Sequence, residues 1–220
     1  MVRPSHILRL TAAAALAAGL ASCAGACETR EAEAEPEPPP VTDGTAQRLA
    51  RAFAGWVTVR TRPDGVPIYA PQCRRFEGGC PARLAALAGM IAQEADRHDL
   101  DPFLVGAIAV KESGLDPAAV GPRGSVGILQ LNPRGVGAGL RFTRDAAYRN
   151  RCARTQADAC QGPIVERGVK HLADWIERCG DLVQALGGYN SGECRRTGYG
   201  RRVVHLRKRL RALAAEAPGT

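Results

Sequence analysis

The spacing of apolar residues predicts helices as the main elements of the chain. Over residues 81–98, Leu84, Leu87 and Ile91 recur at intervals of three and four positions, the period of a helix with one buried face. A proline at position 81 suits the first turn of such a helix. We therefore expect an amphipathic helix that ends near residue 98.

The helix expected next, over residues 103–113, is apolar around its whole circumference and is therefore predicted to be buried. Asp101 and Pro102 precede it as an N-cap residue and a first-turn proline. Residues 114–141 are rich in Gly and Pro and are expected to form loops. Further helices are predicted over residues 163–178, 181–187 and about 203–215.

A short β-hairpin is predicted upstream of these helices. Residues 56–59 and 66–69 suit two strands, and Arg62-Pro63-Asp64-Gly65 between them is a turn signal. The expected fold class is therefore mainly α, of the α+β type, with a small β or loop segment and an N-terminal hairpin.

The N-terminus has the layout of a secretory signal peptide. A basic start precedes an apolar run over residues 10–21, which is shorter than the ~20 residues of a membrane-spanning helix. The run ends in Leu20-Ala21-Ser22-Cys23, which resembles the lipobox of bacterial lipoproteins and makes Cys23 the expected lipidation site. Cleavage after Ala26 is the alternative. Both readings predict export, and the first predicts a periplasmic protein anchored to the outer membrane.

Residues 23–44 are predicted to be a disordered tether. Alternating Glu and Ala run into a block of prolines, a composition that offers no apolar face to bury. The expected organisation is a signal peptide over residues 1–22, this tether over 23–44, an extension with the hairpin over 45–80, and a helical domain over 81–220.

The net charge of the chain bears on the kind of partner it binds. The chain carries a net charge of +8, which first suggests an anionic partner such as nucleic acid. The tether is acidic, so the domain is more basic than the whole chain. Export argues against nucleic acid, and the basic C-terminal helix is expected to be a solvated face or to meet an anionic cell wall.

Six of the eight cysteines lie in the predicted extension and domain and are expected to form disulfides, because the chain is exported. Their spacing lacks the close pairs of a zinc site, so no metal is expected. Sequential pairing is favoured among the fifteen possible connectivities. The expected pairs are Cys73 with Cys80, Cys152 with Cys160, and Cys179 with Cys194. No role is assigned to Cys27.

Glu112 is the main candidate for chemistry. It follows the apolar helix at its C-terminal end, where the helix dipole and burial both disfavour a negative charge. Both effects raise the pKa of a carboxyl group, which suits a general acid. The alternative is a solvent-facing glutamate paired with an arginine. Asp116, next to a proline, is expected to cap a helix or turn.

Four motifs follow one another in the chain. They are Glu112-Ser113, Gly124-Ser125-x-Gly127-Ile128-Leu129-Gln130, Leu186-Gly187-Gly188-Tyr189-Asn190-Ser191-Gly192 and the later Tyr199. Together they resemble the Slt-type lytic transglycosylases, relatives of goose-type lysozyme that cleave the glycan strands of peptidoglycan. The resemblance spans about residues 83–210 and implies a lysozyme-like fold, a catalytic domain over 81–220 and no cofactor.

The resemblance also implies roles for individual residues. Glu112 would be the single acid and base that cleaves the β-1,4 bond between N-acetylmuramic acid and N-acetylglucosamine with a 1,6-anhydro product. Ser113 would support it, and Gln130 would contact an N-acetyl group. Tyr189 and Asn190 would line the cleft. The expected partner is the peptidoglycan strand, bound by a monomer.

Some positions depart from the family pattern. Gly121 stands where the family usually has Ser, Gly188 where it has Ala, and residues 139–162 are expected to be an insertion. His171 and Trp175 are expected to be structural.

Two alternative functions stay open. A lysozyme-type hydrolase would use a second carboxylate that folds near Glu112, and a wall-binding lipoprotein would have no activity. The acids that could supply such a carboxylate are Glu166, Glu177, Asp181 and Glu193.

Overall fold

A computed structural model of the chain describes residues 43–74, 78–155 and 157–216. The expected signal peptide, Cys23, Cys27 and almost all of the expected tether lie outside these residues. Within the described ranges, no helix has both the length and the apolar character needed to cross a membrane.

Helices dominate the described residues, as the apolar spacing predicts. In chain order the elements are α1 (Asp43–Val57), β1 (Thr58–Thr61), β2 (Pro67–Tyr69), α2 (Pro71–Arg74), α3 (Cys80–Arg97), α4 (Pro102–Ser113), α5 (Arg141–Arg144), α6 (Ala146–Thr155), α7 (Ala157–Cys179), α8 (Leu182–Ser191) and α9 (Gly198–Ala215). The predicted fold class, mainly α with a small hairpin, is confirmed.

The buried helix α4 lies at the centre of the core, as its apolar sequence predicts. Residues 103–110 are all buried, and α4 packs against α1, α3 and α9. The Asp101 side chain caps its start by accepting a hydrogen bond from the backbone N–H of Phe103. Gly114 ends it in the left-handed conformation that favours glycine. This helix carries Glu112 in its last turn.

The helix α1 is not predicted by the sequence pattern. Leu49, Ala52 and Phe53 on one face are buried against α3 and α9, so tertiary packing stabilises the helix. Trp56 and Val57, which we expected in a strand, form its last turn. The hairpin begins directly afterwards at Thr58, and its two strands pair in antiparallel register.

Residues 139–162, the expected insertion, form α5, α6 and the first turns of α7. The helix α7 therefore begins before the predicted residue 163 and continues through Pro163. The structure forms the disulfides Cys73–Cys80, Cys152–Cys160 and Cys179–Cys194, in sequential order. The last of these closes a segment that contains all of α8.

Candidate active site

A cleft of about 490 Å³ opens at the C-terminal end of α4. The loop over residues 121–136 forms one wall, and α7 and α8 form another. Its main polar and aromatic lining residues are Lys111, Glu112, Arg123, Ser125, Gln130, Asn132, His171, Tyr189 and Asn190. A concave site of this size with a few converging polar groups is typical of a ligand-binding or active site.

The Glu112 side chain is held in place by a residue of α9. Its Oε1 atom accepts a hydrogen bond of 2.6 Å from the hydroxyl of Tyr199, in the first turn of α9. Tyr199 is buried, and both burial and the neighbouring carboxylate raise the pKa of its phenol well above the usual value. Tyr199 is therefore a neutral donor that fixes the position of Glu112.

Burial raises the pKa of Glu112, as its position on the apolar helix predicts. Two neighbours partly oppose this effect because they favour the charged form. One is the hydrogen bond from Tyr199, and the other is the positive charge of Lys111. Lys111 lies with its Nζ atom 5.7 Å from the centre of the Tyr199 ring. The result is a carboxyl group that keeps its proton to higher pH than an exposed glutamate.

Ser113 does not line the cleft in the described structure. Its hydroxyl oxygen lies 2.9 Å from the carbonyl oxygens of both Ala109 and Ile128, and so joins the end of α4 to the cleft loop. A hydroxyl has one hydrogen to donate and alternates between these acceptors. Ser113 therefore connects the helix that carries Glu112 to the loop that carries Gln130.

Gln130 faces the cleft from a fixed position. Its side-chain NH₂ group donates to the backbone carbonyl oxygens of Ala119 at 3.1 Å and Gly127 at 3.0 Å. Both amide hydrogens are used in these bonds, so its Oε1 atom is the group left for a ligand. A Cβ atom at Gly121 would lie only 2.6 Å from that oxygen. The glycine at position 121 therefore leaves space for the side chain of Gln130.

Tyr189 and Asn190 line the cleft from α8. The Tyr189 hydroxyl donates to the backbone carbonyl oxygen of Leu129 at 3.3 Å, which joins α8 to the cleft loop. Burial and the charge of Glu112 raise the pKa of Tyr189, so its phenol stays neutral. Asn190 is exposed, and its amide is accessible to a ligand.

Glu112 is the only carboxylate that lines the cleft within the described ranges. Asp116 accepts a hydrogen bond from the backbone N–H of Ala118, as expected for a turn residue. Asp181 caps α8 and pairs with Arg196 at 2.6 Å. The other acids considered as sources of a second carboxylate, Glu166, Glu177 and Glu193, are exposed and do not line the cleft.

His171 is a cleft residue for which the sequence predicts only a structural role. It lies on α7. The only available signal was its place one helical turn before Trp175, a spacing at which two side chains can meet. In the described residues no group of His, Cys, Asp and Glu could hold a metal ion.

The mainly helical fold with its small antiparallel hairpin is consistent with the fold of lysozyme-like proteins. The family model of the Transglycosylase SLT domain matches residues 89–211, more than half of the chain. The chain therefore belongs to this family, and the resemblance drawn from its motifs is confirmed. Neither the curated proteins nor the solved structures gave a match. Family membership establishes a function of the lytic transglycosylase type on peptidoglycan, which lies outside the cytoplasm.

Proposed function

We propose that the protein cleaves the β-1,4 bond between N-acetylmuramic acid and N-acetylglucosamine without water and forms a 1,6-anhydro end. The observation that carries this proposal is that the described residues place one carboxyl group in the cleft, that of Glu112. Glycoside hydrolases generally use two carboxyl groups, about 5 to 9.5 Å apart. Within the described residues, Glu112 has no such partner in the cleft.

In this mechanism Glu112 serves first as an acid and then as a base. Its carboxyl group gives its proton to the glycosidic oxygen, and the bond between that oxygen and C1 of N-acetylmuramic acid breaks. The resulting carboxylate takes the proton of the sugar's C6 hydroxyl, and the C6 oxygen forms a bond to C1. Glu112 ends protonated again, and no water is consumed. The raised pKa of Glu112 favours the first step.

The other site residues support this reaction from fixed positions. Gln130 would accept the N–H of an N-acetyl group through its Oε1 atom, since its amide hydrogens are used in the loop. Tyr189 and Asn190 would bind the sugar beside Glu112. Ser113 would act indirectly, because it holds the cleft loop against α4 and does not contact the substrate.

Digestion of purified peptidoglycan, followed by mass spectrometry of the new ends, tests the proposal. We expect anhydro ends with the wild-type protein and none with Glu112→Gln. Glu166→Gln is the matched control, because Glu166 is exposed and does not line the cleft. Reducing ends, heavier by one water, would show a lysozyme-type hydrolase instead. Binding to sacculi without cleavage would show a wall-binding protein.

We also propose that residues 1–22 are removed and that Cys23 carries a lipid anchor to the outer membrane, with the residues between Cys23 and α1 as tether and 81–220 as catalytic domain. The expected tether extended to residue 44, but residues 43–44 belong to α1. The lipobox-like sequence supports this arrangement. The intact mass of the mature protein tests it. A mass that begins at Cys23 with added acyl chains supports the anchor, and an unmodified chain that begins at residue 27 contradicts it. Sedimentation of the mature protein tests the expected monomer.

A further inference from the structure

We propose that His171 binds substrate, donating a hydrogen bond from Nδ1 to an acceptor oxygen of an N-acetyl sugar in the cleft. This inference deepens the proposed function and rests on the same cleft. His171 lines that cleft beside Tyr189 and Asn190. It lies outside the four motifs that indicate the family.

The hydrogen-bond partner of His171 determines which ring nitrogen carries the hydrogen. The indole Nε1–H of Trp175 lies 3.1 Å from Nε2 of His171. An indole N–H can only donate, so Nε2 of His171 must accept and cannot carry a hydrogen. The neutral ring then carries its hydrogen on Nδ1. In the described part of the chain, Nδ1 has no hydrogen-bond partner.

The surroundings of His171 keep the ring neutral. Burial lowers its pKa, and the nearby positive charges of Arg178 and Lys170 lower it further, whereas Asp174 opposes them. A neutral imidazole with Nε2 occupied offers one donor, Nδ1–H, and no acceptor. Sugar hydroxyl and N-acetyl carbonyl oxygens are the acceptors that an N-acetylated glycan supplies.

Packing fixes the orientation of this donor. The His171 ring lies 5.4 Å from the Tyr189 ring, centre to centre, and 6.1 Å from the Trp175 ring. Trp175 is itself buried, and the Arg178 guanidinium lies 4.7 Å from its ring centre. Because the His171 ring is already held in place, its Nδ1–H can bind a substrate oxygen without the entropy cost of ordering a free side chain.

Gly188 explains why Trp175 can occupy this position. A Cβ atom at position 188 would overlap the Trp175 ring, at 2.8 Å from Cζ3 and closer still to Cε3. The glycine leaves space for the indole ring against α8, and the ring in turn orients His171. Gly188 and Trp175 are thus positioning residues for the proposed contact.

Two variants of His171 form a matched pair. His171→Phe keeps a ring of similar shape and removes Nδ1–H, whereas His171→Asn can place an amide N–H near the position of Nδ1. Both leave the Trp175 N–H without its partner, so their difference isolates the proposed donor. In the Glu112→Gln background, binding of a β-1,4-linked N-acetylglucosamine tetramer can be measured by calorimetry without turnover.

We expect the Kd for the tetramer to rise about tenfold in His171→Phe and to stay within about threefold in His171→Asn, the range of one neutral hydrogen bond. In the otherwise wild-type enzyme, KM should follow the same order while kcat changes little. An unchanged Kd in His171→Phe, or equal losses in both variants, would overturn the inference. Failure of the tetramer to bind the parent protein would also contradict it.

Nitrogen NMR of the unsubstituted protein tests the tautomer without any variant. We expect His171 to carry its hydrogen on Nδ1, and a hydrogen on Nε2 would overturn the inference. The two proposals fail separately. If the wild-type protein produces no anhydro ends but tetramer binding still depends on His171, only the proposed function fails. If anhydro ends appear and His171→Phe binds normally, only this inference fails.

Discussion

The hydroxyl of Tyr199 donates a 2.6 Å hydrogen bond to Oε1 of Glu112, although 87 residues separate the two in the chain. The contact joins the first turn of α9 to the last turn of α4. It fixes the carboxyl group toward the cleft and partly offsets the effect of burial on its pKa. Several expected properties of the enzyme depend on this pair.

The first concerns the pH dependence of activity. Glu112 must be protonated to act as an acid, so kcat/KM should be greatest at low pH and fall as pH rises through its raised pKa. Tyr199→Phe removes a hydrogen bond that favours the charged form, so the falling limb should move to higher pH. We also expect kcat to fall about tenfold, because the carboxyl loses one positioning bond.

Tyr148→Phe is the control for Tyr199→Phe. Tyr148 lies on α6, and its ring packs against Arg141 of α5. Tyr148 does not line the cleft, and its ring is kept in the variant. Its pH profile should match that of the wild-type protein. A profile of Tyr199→Phe that also matches the wild type, or moves to lower pH, would contradict the role given to Tyr199.

The second prediction concerns stability. The folded-state pKa of Glu112 is raised above its unfolded value, so its favourable contribution is full below the unfolded pKa and is lost as pH rises through the folded one. Glu112→Gln should therefore be more stable than wild type at pH 7, by about 1 kcal/mol. That corresponds to a rise of about 2–4 °C in Tm.

The gain in stability from Glu112→Gln should disappear below about pH 4, where a glutamate in the unfolded chain is also largely protonated. Thermal unfolding at several pH values measures this. Glu166→Gln should give no comparable change at any pH, because that side chain is exposed. If the difference in stability between Glu112→Gln and the wild-type protein were less favourable at pH 7 than at pH 4, the prediction would be contradicted.

The third prediction tests the fit between α7 and α8. Gly188→Ala places a methyl group in the space of the Trp175 ring, so we expect a loss of about 1–3 kcal/mol in the free energy of unfolding. Gly89→Ala in α3 is the control, since a Cβ there meets nothing within 4 Å. It should stabilise the protein by about 0.5–1 kcal/mol. Denaturant titration of both variants distinguishes overpacking from a general effect of the substitution.

The fourth prediction concerns the cleft loop. Gly121→Ala would place a Cβ atom against Oε1 of Gln130 and displace this side chain from its two backbone partners. We expect KM for peptidoglycan to rise about tenfold, the equivalent of one lost hydrogen bond. Gly135→Ala lies on the same loop, and its Cβ would make ordinary contacts at 3.8 Å. Equal KM values for the two variants would contradict this account of Gln130.

The fifth prediction concerns the disulfide Cys179–Cys194, which closes the segment that contains α8. Replacing both cysteines with alanine should lower the free energy of unfolding by about 3 kcal/mol, the loop-closure value for 15 residues. Urea unfolding of the double variant and of the wild-type protein, both without reductant so that the other two disulfides stay intact, measures this. A stability of the double variant equal to that of the wild-type protein would contradict the prediction.

Much of the fold follows from local sequence. The helices α3, α4, α8 and α9 have apolar spacing, caps or prolines that specify them within a few residues. The helix α1 does not, because its one apolar face becomes favourable only when α3 and α9 cover it. The predicted start of α7 at residue 163 is too late, because the helix begins at Ala157 and continues through Pro163.

The sequence by itself determined the family and the buried helix that ends in the Glu112 carboxyl group, because each family motif and the apolar pattern of that helix occupies a short stretch of the chain. Only the tertiary structure decided what surrounds it. The 2.6 Å bond from Tyr199 depends on the packing of α9 against α4, and so does the finding that Glu112 is the one carboxylate that the described residues place in the cleft. The link from Gly188 through Trp175 to His171 depends on the packing of α8 against α7. The contacts of Tyr199 with Glu112 and of Gly188 with Trp175 arise only when helices from different parts of the chain pack together.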